Sequence, residues 1–262
     1  MPTDRYRTDK VGRRDAIRML ASACGALALS ACAADATAPR EIRSGARLLS
    51  RPSSPELSSI SGLHPLGLGK ERDGLIYGPP TYKAGSRVPL LLLLHGAGQS
   101  ADNLMEPYLI EKLATGAVLV APNSRGQTWD AIGDGFGPDA DFIDASLALA
   151  FSRFTIDPAR ISVVGFSDGA TYSIGLGCAN GDVFSRIVAH SPGYRLKVTP
   201  VAKPPMFITH GTLDFVLPID VSSRVIVPQL RAEGYDVTYK EFEGGHGVTP
   251  ELLRETSAWA IA

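Results

Sequence analysis

The sequence predicts an α/β fold, a mostly parallel, doubly wound sheet flanked by helices. Three observations carry this. From about residue 70 onward, apolar runs of strand length alternate with helical patterns. Several of the runs are continuously apolar, as expected of parallel strands buried on both faces. Polar, glycine-flanked signatures recur where those runs end, which is where sites form in such sheets. With 262 residues, 44% apolar and 20% charged, the chain has enough for one domain with a sizeable core plus an extra segment.

Taken in order, "LIYGPPTY" (75–82) reads as an early strand that Pro79 and Pro80 end or confine to an edge. "VPLLLLLHGAG" (88–98), "AVLVAPN" (117–123), "RISVVGFS" (160–167), "RIVAHSPG" (186–193), "PPMFITHG" (204–211) and "DVTYKEFEG" (236–244) read as the further strands. Helices are expected over 102–115, 139–154, 168–179, 219–233 and 250–261. No internal repeat is present. Between His190 and Met206 the stretch "SPGYRLKVTPVAKPP" is too short for a lid domain.

The first sixty residues are of a different kind. Arg5, Arg7, Lys10, Arg13, Arg14 and Arg18 precede the uncharged "MLASACGALALSA" (19–31). Thirteen such residues are too few to span a bilayer but suit the apolar region of a signal peptide. The pair Arg13-Arg14 resembles a twin-arginine export signal, with Ala16 where such signals favour Phe. "LSAC" (29–32) resembles a bacterial lipoprotein box, which implies cleavage before Cys32 and lipidation of its sulfur. The expected organisation is a signal peptide over 1–31, a flexible tether over 32–61 and one domain over 62–262. The protein is expected to be exported and held on a membrane by the acyl chains of Cys32.

Cleavage there removes six Lys/Arg and three Asp and leaves 20 basic and 24 acidic residues, a net charge of −4. No basic block follows residue 18, so nothing suggests a nucleic-acid partner. Of three cysteines, Cys24 would be discarded and Cys32 lipidated. Cys178 is then left alone, without an intramolecular disulfide, as a small core residue. Asp139, Asp141 and Asp144 lack the Gly and distal Glu of a calcium loop and read as acids at a helix start. No metal or other cofactor is expected.

The chemistry centres on "ISVVGFSDGATYS" (161–173). A serine hydroxyl is a weak nucleophile until a base takes its proton. Ser167 stands between a strand and a helix, with Gly165 and Gly169 removing side chains where the two crowd. The competing reading is that Ser167 only caps the helix. Among five histidines, His95 and His210 end strands before Gly and read as turn residues. His190 lies in an apolar strand, and His64 is near the tether. His246 follows "EGG" after the last strand, where two glycines let a loop place an imidazole freely. Asp214, in the loop past a buried strand, can accept a hydrogen bond from that ring. Asp220 competes but follows Pro218 and reads as the first turn of a helix.

The chain order Ser167, Asp214, His246 is that of α/β-hydrolases. "LLLLHGAGQSADNL", "PNSRGQTWD", "GFSDGATYSIGLG", "HGTLDFVLPID" and "GGHGVTPEL" together resemble the phospholipase/carboxylesterase branch of that superfamily, from about 88 to 260. The resemblance implies the α/β-hydrolase fold without a large lid domain. It also implies a serine carboxyl-ester hydrolase with an acyl-enzyme intermediate. Its oxyanion hole would use the backbone N–H of Asp168 and that of Ala97, with Gly98 the neighbouring alternative. The Asp168 carboxylate is expected to point away from the developing anion. Trp129 and Phe136, in the Gly-rich loop 124–139, are candidates to line the substrate cleft; packing that loop onto the body is the alternative.

The implied substrate is a small or extended ester, with short acyl chains first. Feruloyl or acetyl esters, polyester fragments and peptides are alternatives on the same triad. The rival from another class is a non-catalytic lipoprotein binding module. Nothing in the sequence sets an oligomeric state.

Overall fold

The computed structural model describes residues 40–41, 45–69, 71–113 and 116–262. The signal segment and Cys32 lie outside these residues. The described residues belong to one compact unit. Its sheet comprises β1 (Gly62–Pro65), β2 (Gly74–Gly78), β3 (Val88–Leu94), β4 (Val118–Pro122), β5 (Ile156–Phe166), β6 (Arg186–His190), β7 (Met206–Gly211) and β8 (Val237–Phe242). They lie side by side in the order β1-β2-β4-β3-β5-β6-β7-β8. β2 runs antiparallel to β1 and β4, and every other pair is parallel.

The continuous apolar runs feed two cores, one on each face. In β3, Leu90, Leu92 and Leu94 enter one cluster, and Leu91 and Leu93 enter the other. In β4, Val118 and Val120 divide likewise from Leu119 and Ala121. Period-two side-chain alternation makes an all-apolar strand the requirement for a sheet covered on both sides. One face is covered by α3 (Pro138–Arg153), α4 (Asp168–Ala179) and α5 (Ser223–Ala232). The other is covered by α1 (Ala101–Leu104), α2 (Pro107–Leu113) and α6 (Pro250–Ala260).

The helices start where their termini are chemically marked. α3 opens on Pro138 with Asp139 and Asp141 in its first turn and closes with Arg153 in its last, matching the helix dipole at both ends. α6 opens on Pro250, and the Thr249 hydroxyl accepts a hydrogen bond from the Leu252 N–H. The helix expected over 102–115 is two pieces, because Pro107 cannot continue α1 but readily begins α2. The helix expected from 219 begins as a 3-10 turn, Ile219–Val221, before α5. β1 went unread in the sequence, since a short, exposed edge strand carries almost no apolar pattern.

Ordered structure reaches further toward the N-terminus than the tether expected over 32–61. Residues 45–61 are laid on the body. The Leu48 side chain is buried and its N–H donates to Asn180 Oδ1 at 2.8 Å, while Asn180 Nδ2 donates to Ala46 O at 2.6 Å. Arg47 forms a two-pronged ion pair with Asp182. Asp144 Oδ1 accepts from the N–H groups of Leu49 and Ser50, both at 2.8 Å. The partners come from α3, α4 and the turn after α4, so no local period announces the contact. Arg40–Glu41 pairs in parallel with Leu196–Lys197.

β6 and β7 are joined by residues 191–205, with no inserted domain. Register brings the carboxyl ends of the central strands level. Leu94 pairs with Gly165, Phe166 with His190, and His190 with Thr209. Residues immediately past those positions therefore share one edge of the sheet. Among the described residues, no helix is long and apolar enough to cross a membrane.

Candidate active site

Ser167 lies between β5 and α4 at φ +57°, a left-handed conformation unusual for a residue with a Cβ. The turn is locked by its N–H on His190 O at 2.9 Å and by its carbonyl accepting from Ala170 and Thr171. A Cβ at Gly165 would collide with the Gly169 carbonyl, and one at Gly169 with the carbonyls of Leu94 and His95. Only glycine permits strand and helix to approach this closely. The Ser167 side chain makes no capping hydrogen bond to α4. Its hydroxyl instead donates to His246 Nε2 at 2.8 Å.

His246 comes from the loop after β8. Its Nδ1–H donates to Asp214 Oδ2 at 2.6 Å. Asp214 comes from the loop after β7, where its other oxygen accepts the N–H groups of Val216 at 2.9 Å and Leu217 at 2.8 Å. Burial pushes this carboxyl up, but the His246 hydrogen bond and the two backbone donors outweigh it, so it stays below the usual carboxylate range. An Asp that remains ionised holds the imidazole with Nε2 free to accept a proton from serine. Three residues predicted from the sequence, Ser167, Asp214 and His246, are thus joined end to end. Asp220 is elsewhere, paired with Arg224 on the surface.

The "HGAG" loop leaves one suitable donor. Gly96 N–H is taken by Gln99 Oε1 at 3.0 Å and Gly98 N–H by Gln127 O at 2.7 Å. Among the described residues, Ala97 N–H has no hydrogen-bond acceptor, and neither does Asp168 N–H. Two backbone donors flanking a serine elbow can hold an anion there. The Asp168 carboxylate accepts the Thr128 hydroxyl at 2.6 Å, so it is committed to the Gly-rich loop. Sequence reading missed Thr128, which lies forty positions away with no local signal to mark it.

That loop behaves differently from the cleft expected around Trp129 and Phe136. Trp129 is 1% exposed and Phe136 is 7% exposed. Trp129 Nε1 donates to His95 O at 2.8 Å, and both rings pack against Tyr172 at centroid distances of 5.1 and 4.6 Å. Both rings are thus packed onto the body, as the alternative reading of this loop has it. Asp139 caps the same loop, accepting from Arg125 N at 2.5 Å and Asp130 N at 2.7 Å.

His95, His190 and His210 are internal, whereas His64 is exposed on β1. His95 Nε2 accepts from Ser124 N at 3.0 Å and its Nδ1–H donates to Gly96 O at 2.7 Å, a pattern that needs the neutral ring. His190 is buried among Thr209 and Thr256, which pushes its pKa down to about 4. Cys178 is buried, and burial pushes its thiol up to about 11, as befits an inert core sulfur.

Comparison with known proteins agrees with this architecture. A model described as "Alpha/beta hydrolase family" matches residues 91–260, well over half of the chain. A poly(3-hydroxybutyrate) depolymerase from Ralstonia pickettii is 31% identical over 140 residues, covering 45% of this chain and 28% of that protein. The chain therefore matches under a third of that relative's length. Among solved structures, esterase PE8 superposes with a TM-score of 0.55 at 23% identity, covering 77% of this chain and 97% of that one. The Bacillus cereus carboxylesterase gives 0.52 at 22% identity, covering 66% and 87%. A CE1 ferulic acid esterase from Anaeromyces mucronatus gives 0.54 at 17% identity, covering 71% and 82%. At these identities the structures share the fold. The strand order, the serine elbow and the matched family model place this chain in the alpha/beta hydrolase family.

Proposed function

We propose that the protein is a serine carboxyl-ester hydrolase of the carboxylesterase type. The observation that carries the proposal is the unbroken chain of hydrogen bonds from Ser167 Oγ through His246 to Asp214. As Oγ attacks the ester carbonyl, its proton passes to His246 Nε2. The carbonyl oxygen becomes an anion facing the N–H groups of Ala97 and Asp168. Collapse of the tetrahedral adduct returns the proton from His246 to the departing alkoxide and leaves an acyl-Ser167. Water, deprotonated by the same His246, then attacks the acyl carbon; as the second adduct collapses, the C–Oγ bond breaks, His246 returns the proton to Ser167 Oγ, and the acid is released.

Small or extended esters are the favoured substrates, because only residues 191–205 connect β6 to β7, too few for a lid domain at that place. The named relatives, a polyester depolymerase and a ferulic acid esterase, make those two ester types the next to assay.

The test is labelling with a fluorophosphonate together with p-nitrophenyl acetate turnover. Ser167→Ala is expected to abolish labelling and to lower kcat by on the order of 10⁶-fold. Turnover surviving in this variant would rule the mechanism out. A folded wild type that does not label would favour a binding module instead. Export with lipid anchoring at Cys32 is a separate proposal, supported by "LSAC" after an uncharged stretch. Cys32→Ser is expected to move the protein from the membrane fraction to the soluble one; unchanged retention would exclude the anchor.

A further inference from the structure

His210 is the penultimate residue of β7 and is completely buried, directly beneath the acid of the site. Its Nε2 is 2.9 Å from Leu217 O and 3.2 Å from Asp214 Oδ2, the same oxygen that receives His246 Nδ1–H. Its Nδ1 is 2.6 Å from the Ser223 hydroxyl at the start of α5. A carbonyl oxygen can only accept, so Nε2 must carry a proton. In the neutral ring Nδ1 is then an acceptor and the Ser223 O–H donates to it. The tautomer is thereby set from both sides.

We propose that His210 is a positioning residue, a neutral Nε2–H donor that pins Asp214 Oδ2 in line with His246 Nδ1. This deepens the esterase reading and rests on it for its kinetic consequences. Asp214 accepts three hydrogen bonds, from Val216 and Leu217 N–H on Oδ1 and from His246 on Oδ2, and His210 Nε2, whose N–H is directed at Leu217 O, stands 3.2 Å from Oδ2 as the proposed fourth donor. Rotation of the carboxylate would break several of these at once. Because the His210 donor is uncharged, it fixes the oxygen without setting a second cation beside the His246 imidazolium that forms during catalysis.

The surrounding groups support neutrality. Burial acts first and lowers the proton affinity of His210; His246 acts in the same direction, while Leu217 O and Asp214 raise it. From β8, Glu241 is paired in register with His210, but its carboxylate is already bound by Arg224 of α5 and by the Tyr239 hydroxyl. Among the described residues, His210 has no ion-pair partner other than Asp214.

The experiment has two arms. The first is the pH profile of kcat/KM with p-nitrophenyl acetate for His210→Gln and His210→Phe. Gln keeps an N–H near the Nε2 position and is expected to stay within about threefold of wild type. Phe removes the donor and is expected to lower kcat by about ten- to a hundredfold with KM little changed, the scale of one hydrogen bond to a charged group. Its acid limb should move to higher pH, since a carboxylate with one donor fewer attracts the His246 imidazolium more strongly. An unmoved limb in Phe, or a Gln variant no better than Phe, would overturn the proposal. The second arm is ¹⁵N-histidine NMR of the wild-type protein, which needs neither activity nor a stable variant. His210 is expected to hold the neutral Nε2–H form between about pH 5 and pH 8, where an ordinary histidine titrates. A charged His210, or a neutral ring protonated at Nδ1, would refute it. If wild type fails to label with fluorophosphonate, the esterase reading falls while the NMR arm still decides the hydrogen bond.

Discussion

Ser167 faces two claims on one hydroxyl. A serine at a strand-to-helix junction stands where a cap would stand, and the sequence cannot say which use prevails. In the structure the cap bond is absent and the hydroxyl turns to His246. The next residue is under a similar tension. Asp168 offers its N–H at the proposed oxyanion site while its carboxylate, in the first turn of α4, must stay away from the anion. Thr128 resolves this by holding Asp168 Oδ2 at 2.6 Å. Thr128→Val is therefore expected to lower kcat about tenfold with little change in KM, because the freed carboxylate opposes the anion only in the transition state. Thr128→Ser should restore most of the rate. A Val variant altered mainly in KM would show that Thr128 acts on substrate binding instead.

At the scale of elements, the loop between β4 and α3 acts as a brace. Trp129 donates to His95 O, Gln127 O takes the Gly98 N–H, and Ser124 N–H holds the His95 ring. These contacts fix the "HGAG" loop, and with it Ala97, against the elbow. Trp129→Phe keeps most of the buried aromatic area but leaves the His95 carbonyl without its donor. It is expected to cost about 1–2 kcal/mol in stability and to reduce kcat several-fold through a looser Ala97. Urea unfolding and steady-state kinetics together check this. A variant with wild-type kcat and only reduced stability would limit Trp129 to packing.

Across the whole molecule, buried histidines couple stability to pH. His190 is held to about 4 by burial, against about 6.5 in an unfolded chain. The unfolded state therefore binds more protons between these values, and stability falls as pH drops from about 6.5 to about 4. The 2.5-unit gap corresponds to roughly 3 kcal/mol. His95 and His210, also lowered chiefly by burial, add in the same direction. Asp214, whose carboxyl is depressed, adds a loss at still lower pH. The unfolding midpoint is expected to fall steeply over that interval, and His190→Gln to flatten the slope. A wild-type midpoint constant across the interval would contradict this account.

The sequence by itself determined the central strands, α3, α4 and α6, and the three residues of the proposed triad. Each of these carries a local mark: an unbroken apolar run for a two-sided sheet, Pro and acids at a helix start, glycines around a serine or before a histidine. Tertiary structure alone decided the rest. Trp129 and Phe136 read equally well as cleft or core, because an aromatic ring in a Gly-rich loop has no period to say which way it faces. Residues 45–61 read as tether because Asn180, Asp144 and Asp182, which bind them, are about a hundred or more positions away. His210 read as a turn residue because its place against Asp214 depends on how the loop after β7 folds back over the strand end. Local chemistry marks where an element begins and what it can do; which groups meet is settled by strand order and register, which bring distant loops to one edge of the sheet.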